Sequence, residues 1–133
     1  MAFVLDASVS AVWALADESH PLADRAMDQL TIEGAMVPSI WWFEVRNVLV
    51  TCERRGRLTV DGSSAFLKLI GEFPIGIDSE HDEDAILGFA RKYQLSIYEA
   101  AYLDVAYRNR LPLATLDKAL QTAAKAAGVP LLG

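Results

Sequence analysis

Four acidic residues, far apart along the chain, have the chemistry of a cation-binding site. They are Asp6, Glu44, Glu99 and Asp117. If the fold brings them into one crevice their charges oppose one another, since two unit charges ~4 Å apart repel by roughly 4 kcal/mol at an effective dielectric near 20. A divalent ion offsets this repulsion. Ligands that are all oxygen suit a hard cation, so Mg²⁺, or alternatively Mn²⁺, is the expected cofactor.

Short apolar runs predict strands next to these acids. Asp6 directly follows the run Phe3–Leu5, and Asp117 comes two residues after the run 113–115. A further run, 35–37, precedes a long helical stretch. Strands that alternate with helices at this spacing predict an α/β fold with a mostly parallel sheet and helices on both faces. Ligands bind beyond the carboxyl ends of such strands, and that placement makes a site here plausible.

Apolar periodicity, capping residues and helix breakers predict the complete order of elements. The predicted strands are 2–5, 35–37, 74–77, 113–115 and an edge strand 129–132; the predicted helices are 7–16, 21–30, 39–54, 61–72, 80–92, 96–107 and 117–127. The sheet should therefore contain four to five strands.

Bulk composition places the chain among compact folded proteins. A chain of 133 residues that is 53% hydrophobic and 23% charged can bury one core, which predicts a single domain over 1–133 and argues against disorder. The only cysteine is Cys52, so no internal disulfide can form, and we expect a reducing, cytoplasmic environment. The start of the chain lacks the features of a signal peptide, and no run approaches the ~20 apolar residues that span a bilayer.

The charge balance gives an ambiguous indication about nucleic acid. A net charge of −6 argues weakly against binding by neutralisation of phosphates. Acids that surround a metal ion do not argue against phosphate binding, because the bound ion makes the local electrostatic potential positive. Four basic residues within twelve positions form a candidate basic patch: Arg46, Arg54, Arg55 and Arg57. Solvated helix ends are the alternative explanation for them.

Each acid also has a structural explanation that the sequence leaves open. Asp6 and Asp117 each stand where a helix begins, and aspartate is a good N-cap residue. Ser96 and Glu99 match the S-x-x-E capping box, in which the glutamate bonds back to the serine N–H. A capping carboxylate at a helix N-terminus still points toward the crevice, so capping and ligation are compatible roles.

Glu44 lies on the most unusual helix of the chain. It shares a helical stripe with Asn47 and Thr51, which look like a supporting shell, although a glutamate at the stripe edge could also reach solvent. The helix is apolar nearly all round, with Trp41, Trp42, Phe43, Val45, Leu49, Val50 and Cys52. Such a helix is buried on two sides, which predicts the core on one side and a partner protein on the other.

Other tempting groups are set aside. Asp104 lies about 140° round the helix from Glu99, so both cannot face one metal. The acidic run 78–84 is interpreted as a helix N-terminus favoured by the helix dipole. His20 and His81 lack a Ser or Cys partner at a recognisable spacing, and no phosphate-binding glycine motif is present.

Four segments together resemble a known family. They are Val4-Leu5-Asp6-Ala7-Ser8; Pro38 followed by Glu44-Val45-Arg46-Asn47-Val48-Leu49; Ser96-Ile97-Tyr98-Glu99-Ala100-Ala101-Tyr102-Leu103; and Pro112-Leu113-Ala114-Thr115-Leu116-Asp117. In order and spacing they are similar to the motifs of PIN-domain ribonucleases. The subgroup that the chain resembles most is the VapC-type toxins of bacterial and archaeal toxin–antitoxin pairs.

This resemblance implies a three-layer sandwich and an Mg²⁺-dependent endoribonuclease. Such an enzyme hydrolyses RNA with a metal-activated water and leaves a 5′-phosphate and a 3′-hydroxyl. It is typically a homodimer and is held inactive by a cognate antitoxin. The resemblance assigns metal ligation and catalysis to Asp6, Glu44, Glu99 and Asp117, with Ser8, Asn47 and Thr115 in supporting roles. The basic patch could then hold RNA beyond the cut, or meet acidic parts of an antitoxin.

The chain departs from the family pattern at one site residue. The third motif usually carries aspartate where this chain has Glu99, which is one methylene longer but keeps the charge. A misplacement of a catalytic group by ~1 Å can cost ~10²-fold in rate. The alternative is therefore a PIN-like interaction module whose acidic crevice binds metal or a partner but cleaves poorly. A receiver domain with an aspartyl phosphate is not supported, because such domains need paired acids after the first strand and Asp6 stands alone.

Overall fold

The computed structural model describes residues 1–133. Four strands and seven helices alternate along the chain. The strands are β1 (Phe3–Leu5), β2 (Ala35–Pro38), β3 (Ile75–Asp78) and β4 (Leu113–Ala114); the helices are α1 (Ala7–Ala14), α2 (Pro21–Glu33), α3 (Ile40–Arg54), α4 (Val60–Ile70), α5 (Glu83–Tyr93), α6 (Ile97–Asn109) and α7 (Lys118–Ala126).

The sheet is parallel throughout, with strand order β3-β2-β1-β4. The chain enters at β1 and moves outward to β2 and β3, and it then returns to the other side of β1 as β4. The strand order therefore reverses between β1 and β4. Connections leave this point in opposite directions, so a crevice opens beyond the carboxyl ends of these two strands. The register places Leu5 beside Ala114, and the residues after both strands meet at this crevice.

Helices cover both faces of the sheet in a three-layer α/β sandwich. α6 packs against β1, β2 and β4 and is flanked by α5 and α7. α1 packs against both α2 and α3, with α2 against β1 and α3 against β2. β1 is fully buried, as the uninterrupted apolar run Phe3–Leu5 predicts for a central parallel strand. None of the helices has both the length and the apolar character that crossing a bilayer requires.

Local sequence signals for the helix ends are largely confirmed. His20 caps α2 by accepting from the Leu22 N–H, and Pro21 occupies the first turn. Gly56, at φ +70°, follows the end of α3 in the left-handed conformation that favours glycine after a helix. Ser96 and Glu99 form both hydrogen bonds of a capping box at the start of α6. The parallel sheet and the order of elements also agree with the sequence prediction.

Several predicted boundaries are wrong by a few residues. α4 begins at Val60 because Thr59, not Asp61, provides the cap by accepting from the Gly62 N–H. α5 begins at Glu83 rather than 80, since Asp82 caps it. The predicted edge strand 129–132 is reduced to one parallel bridge between Leu113 and Leu131, so the sheet has four strands. β4 has only two residues, which leaves little backbone for a further strand to pair with.

Candidate active site

Four acids from four elements line one crevice at the point where the strand order reverses. Asp6 follows β1, Asp117 follows β4, Glu44 lies on α3 and Glu99 lies in the first turn of α6. The crevice has a volume of about 280 Å³. Its floor is set by the sheet, because the Asp6 N–H donates to the Ala114 carbonyl at 3.0 Å and so continues the pairing of β1 with β4.

Two hydroxyl groups hold the buried carboxylate of Asp6. Ser8 Oγ donates to Asp6 Oδ2 at 2.6 Å, and Thr115 Oγ1 donates to the same oxygen at 2.7 Å. Asp6 occupies the N-cap position of α1, yet its side chain makes no capping hydrogen bond. The simple capping explanation for Asp6 is therefore wrong. The supporting hydroxyls that the sequence indicated, Ser8 and Thr115, both contact it.

The direction of these hydroxyl protons is fixed by the loop after β4. The Leu116 N–H donates to Ser8 Oγ and the Asp117 N–H donates to Thr115 Oγ1, both at 3.0 Å. Because each hydroxyl oxygen accepts a backbone hydrogen, its own proton is free for Asp6, and such chains polarise one another. Two backbone N–H groups thus act on Asp6 through two hydroxyls. Both chains of hydrogen bonds join distant parts of the sequence: Leu116 lies 108 residues from Ser8, and Thr115 lies 109 residues from Asp6.

Burial makes ionisation of Asp6 costly. Its pKa is raised above the usual value by burial, and the nearby Asp117 carboxylate raises it further, while the bonds from Ser8 and Thr115 lower it. The raised pKa of this carboxyl therefore reflects mainly its burial, and no cationic side chain hydrogen-bonds to it.

Asp117 and Glu99 are held by the helices that follow them. Asp117 Oδ1 accepts from the Leu120 N–H at 2.9 Å and caps α7. Glu99 Oε1 accepts from the Ser96 N–H at 2.9 Å, which confirms the capping box. The structural explanations for these two acids are thus correct, and both side chains line the crevice as well.

Glu44 has a partner that sequence reasoning missed. Tyr102 OH donates to Glu44 Oε1 at 2.6 Å, and both residues line the crevice. Burial raises the pKa of Glu44, and the carboxylates of Asp6 and Glu99 raise it further, whereas the bond from Tyr102 lowers it. A signal was available, because Tyr102 lies three residues after Glu99 and so falls on the same face of α6.

One regularity connects all four acids. In each carboxylate the hydrogen bonds fall on a single oxygen: Asp6 Oδ2, Glu44 Oε1, Glu99 Oε1 and Asp117 Oδ1. The second oxygen of each accepts no hydrogen bond from another side chain, and the backbone N–H of Ala7 also acts on the Asp6 carboxylate. No group of three or more His, Cys, Asp or Glu side chains is arranged so that it could already hold a metal ion. Metal ligation by these acids therefore stays a prediction.

The remaining predicted site residues divide into two sets. Asn47 lines the crevice with Glu44. Arg46 and Arg54 line a neighbouring groove of about 540 Å³ that also includes Glu44 and Asn47. Arg46 lies over the Trp42 ring, 3.8 Å from its centroid. The other two lie apart from both cavities: Arg55 is exposed, and Arg57 pairs with Asp17 and Glu18 at 3.5 and 3.4 Å.

Comparison with known proteins identifies the family. A sequence model of the PIN domain matches residues 3–126. The chain is 32% identical over 124 residues to Ribonuclease VapC3 from Pyrobaculum aerophilum, an alignment that covers 90% of this chain and 92% of that protein. The crystal structure of PAE2754 from Pyrobaculum aerophilum superposes with a TM-score of 0.71 at 24% identity, over 92% of this chain and 86% of the other, which shows a shared fold. The chain belongs to the PIN-domain family and is of the VapC ribonuclease type.

Proposed function

We propose that this protein is a divalent-metal-dependent endoribonuclease toxin that hydrolyses phosphodiester bonds in RNA. The observation that carries the proposal is the convergence of Asp6, Glu44, Glu99 and Asp117 on one crevice where the strand order reverses. The similarity to Ribonuclease VapC3 supports RNA as the substrate.

The donor set of the crevice fits Mg²⁺ or Mn²⁺. All its candidate ligands are oxygens, which hard cations prefer, and they include no thiolate or imidazole. Burial and mutual repulsion raise the pKa of Asp6 and of Glu44, so a cation would relieve both effects. The second carboxylate oxygens, which accept no hydrogen bond from another side chain, are the expected ligands. No three of these side chains are already arranged to hold an ion, so coordination requires them to rearrange.

The chemistry divides between the ion and the residues. When bound, the ion supplies a water of lowered pKa and offsets the charge that develops on the phosphate. Asp6 and Asp117 would hold the ion beyond the ends of β1 and β4, and the hydrogen bonds from Ser8 and Thr115 restrict rotation of Asp6. Glu44 and Glu99 complete the ring of acids from α3 and α6.

The decisive variant is Asp6→Asn, since asparagine keeps an oxygen for both hydroxyl donors but loses the charge. We expect Mg²⁺-dependent cleavage of a pool of structured RNAs to fall by roughly 10²–10³-fold or more, because metal stabilisation of the transition state is worth several kcal/mol. Circular dichroism should show an intact fold. Induced expression of the wild type, but not of Asp6→Asn, should arrest growth.

The matched control is Asp28→Asn, which removes an exposed carboxylate from α2, away from the crevice. This variant should cleave like the wild type. Cleavage that survives EDTA, or that survives in Asp6→Asn, would contradict the proposed function.

A second candidate is a PIN-like module that binds metal or a partner and cleaves poorly. The observation that favours it is Glu99, whose carboxylate folds back onto the Ser96 N–H in place of the aspartate usual in this motif. Glu99→Asp separates the two functions. If the wild type cleaves RNA, the toxin proposal stands; if the wild type is silent and Glu99→Asp gains cleavage, the module is the better description.

We also propose that the protein forms a homodimer through an exposed apolar surface, the α3–α6 surface, made of Trp42, Phe43, Val50, Ile97 and Tyr98. Phe43 is 63% exposed, and its ring meets that of Trp42 edge-on at 5.0 Å. Phe43, Ile97 and Tyr98 line a common groove of about 300 Å³. Exposed aromatic clusters of this kind mark protein interfaces.

Phe43→Asp tests the dimer, because a charged side chain on the α3–α6 surface opposes burial of that surface. We expect a monomer by light scattering at concentrations where the wild type is dimeric. Ile32→Asp, at an exposed apolar residue of α2, is the control and should leave the dimer intact. A wild type that is already monomeric would contradict this part of the proposal.

The proposed partners also include a cognate antitoxin, which the resemblance to VapC-type toxins supports. Arg46 and Arg54 lie beside the acidic crevice, where they can contact RNA phosphates or acidic groups of an inhibitor. Copurification with the product of a short adjacent gene, and loss of cleavage in that complex, is the expected result.

A further inference from the structure

Tyr102 is the largest fully buried side chain of the protein, and its hydroxyl donates a hydrogen bond to a crevice acid. Its side chain is 1% exposed, and its hydroxyl donates to Glu44 Oε1 at 2.6 Å. The two residues are 58 positions apart, on α6 and α3. The bond therefore connects two helices at the point where each contributes an acid to the crevice.

The proton of this bond belongs to the tyrosine. Burial raises the pKa of Tyr102, and the carboxylates of Asp6 and Glu44 raise it further, so the hydroxyl stays protonated and can only donate here. A phenol supplies one proton, which it gives to Oε1. The other oxygen, Oε2, accepts no hydrogen bond from another side chain, and the bond on Oε1 restricts rotation of the carboxylate.

A structural role is the simpler alternative for this tyrosine. A buried hydroxyl needs a partner, and Glu44 would serve as one whether or not it binds anything else. That explanation predicts a cost in stability when the hydroxyl is removed. It predicts no specific change in the affinity for a metal ion.

We infer that Tyr102 is a positioning residue, which orients Glu44 so that Oε2 is presented to a divalent ion in the crevice. The inference rests on the proposed metal-dependent function. Groups that hydrogen-bond a metal ligand set its orientation, and their loss typically weakens metal binding by about 10–100-fold. Tyr102 contributes this effect from the core, without contact with the ion or the RNA.

The test is the dissociation constant of Mn²⁺ alone, measured by calorimetry on Tyr102→Phe without RNA. Phenylalanine keeps the ring and its packing and removes one oxygen. We expect binding to weaken by roughly 10–100-fold. In cleavage assays the Mn²⁺ concentration for half-maximal rate should rise, while the rate at saturating Mn²⁺ recovers most of the wild-type value.

Tyr107→Phe is the matched control. It makes the same chemical change on the same helix, at an exposed ring that packs edge-on against Phe89 and whose hydroxyl makes no hydrogen bond. It should bind Mn²⁺ like the wild type. In a Glu44→Gln background, Tyr102→Phe should change the affinity far less, since the residue that it orients has lost its charge.

The outcomes separate the two proposals. A wild type that binds Mn²⁺ normally, with Tyr102→Phe indistinguishable from it, overturns the positioning role and leaves the metal-dependent function standing. An unchanged effect of Tyr102→Phe in the Glu44→Gln background overturns it as well, because the tyrosine then acts by another route. A wild type that binds no Mn²⁺ overturns both proposals.

Discussion

Two groups of buried carboxylates in this protein are stabilised in opposite ways. At the end of β3, Arg108 donates to Asp78 at 3.1 and 3.2 Å and to Asp104 at 3.0 Å, and Asn109 also donates to Asp78. In the crevice, the only side chains that donate hydrogen bonds to Asp6 are two neutral hydroxyls. One group has a cation of its own, and the other has none.

The pKa shifts follow this difference. Burial raises the pKa of Asp78, but the bonds from Arg108 and Asn109 more than offset it, and the net shift is downward. The pKa of Asp104 is raised by burial, which Arg108 offsets only in part, and its Oδ1 has no hydrogen-bond partner. For Asp6, burial and Asp117 outweigh the hydroxyls and the pKa is raised. Burial alone does not mark a site; a buried acid without an internal counter-charge does.

The largest effect should come from removing the internal cation. Arg108→Met leaves Asp104, whose side chain is 1% exposed, without its counter-charge. Breaking a buried pair in this way costs about 3–5 kcal/mol, and the lower end applies because Arg108 is 22% exposed. Urea unfolding measures the loss.

Two control measurements accompany the Arg108→Met variant. Arg25→Met, at an exposed position on α2, should change stability little. The Mn²⁺ affinity of Arg108→Met should equal that of the wild type, since this group lies outside the crevice. A loss of stability below 1 kcal/mol would show that the acids do not depend on this arginine.

A smaller effect, of opposite sign, is expected from Asp6→Asn in EDTA. The folded-state pKa of Asp6 lies above its ordinary value of 3.8, so between these two values the native state binds more protons than the unfolded state. The free energy of unfolding therefore falls as pH rises through this window. Asn at this position does not titrate, so the free energy of unfolding of Asp6→Asn does not fall in this way. The stability advantage of Asp6→Asn over the wild type should therefore grow as pH rises above 3.8. Thermal unfolding across pH 4 to 8 measures the gap, and a gap that does not widen would refute the expectation.

Mg²⁺ should reverse that order. Ligand that binds only the native state raises its stability by mass action, so adding Mg²⁺ at pH 7 should stabilise the wild type and leave Asp6→Asn unchanged. Stabilisation of the wild type alone would show that an added cation supplies at Asp6 the counter-charge that Arg108 supplies at Asp78 and Asp104.

The smallest effect is expected at the hydroxyls. Thr115→Val removes one donor from Asp6 and one acceptor from the Asp117 N–H, each worth about 0.5–1.5 kcal/mol of stability. Mn²⁺ affinity should fall about tenfold. Thr115→Ser keeps the hydroxyl and should retain most of the affinity. Equal affinities of the two variants would mean that the hydroxyl does not orient Asp6.

Signals that act within one helical turn were readable in the sequence. The capping box of Ser96 and Glu99, the cap by Asp117 and the stop at Gly56 all depend on residues a few positions apart. The positions of Asp6 and Asp117 after strands followed from short apolar runs, and the α/β alternation followed from their spacing. The four acids that the sequence singled out do line one crevice, and their role in metal binding stays a prediction.

The predicted helix starts were wrong where neighbouring residues can both act as the N-cap. Thr59 and Asp61 are both good N-cap residues, and the structure uses Thr59. Along the acidic run 78–84, Asp82 caps α5 while Asp78 pairs with Arg108 from another helix. Local propensity could not choose between these roles, since the difference is made by contacts outside the segment.

The sequence by itself determined the order of elements and the caps at Ser96 and Asp117, because these depend on local periodicity and on hydrogen bonds within a turn. Only the tertiary structure decided which groups meet: Thr115 with Asp6 across 109 residues, Tyr102 with Glu44 across 58, and Arg108 with Asp78 across 30. Such pairings follow from strand order and helix packing, which place side chains together by distance in space. No local pattern records them.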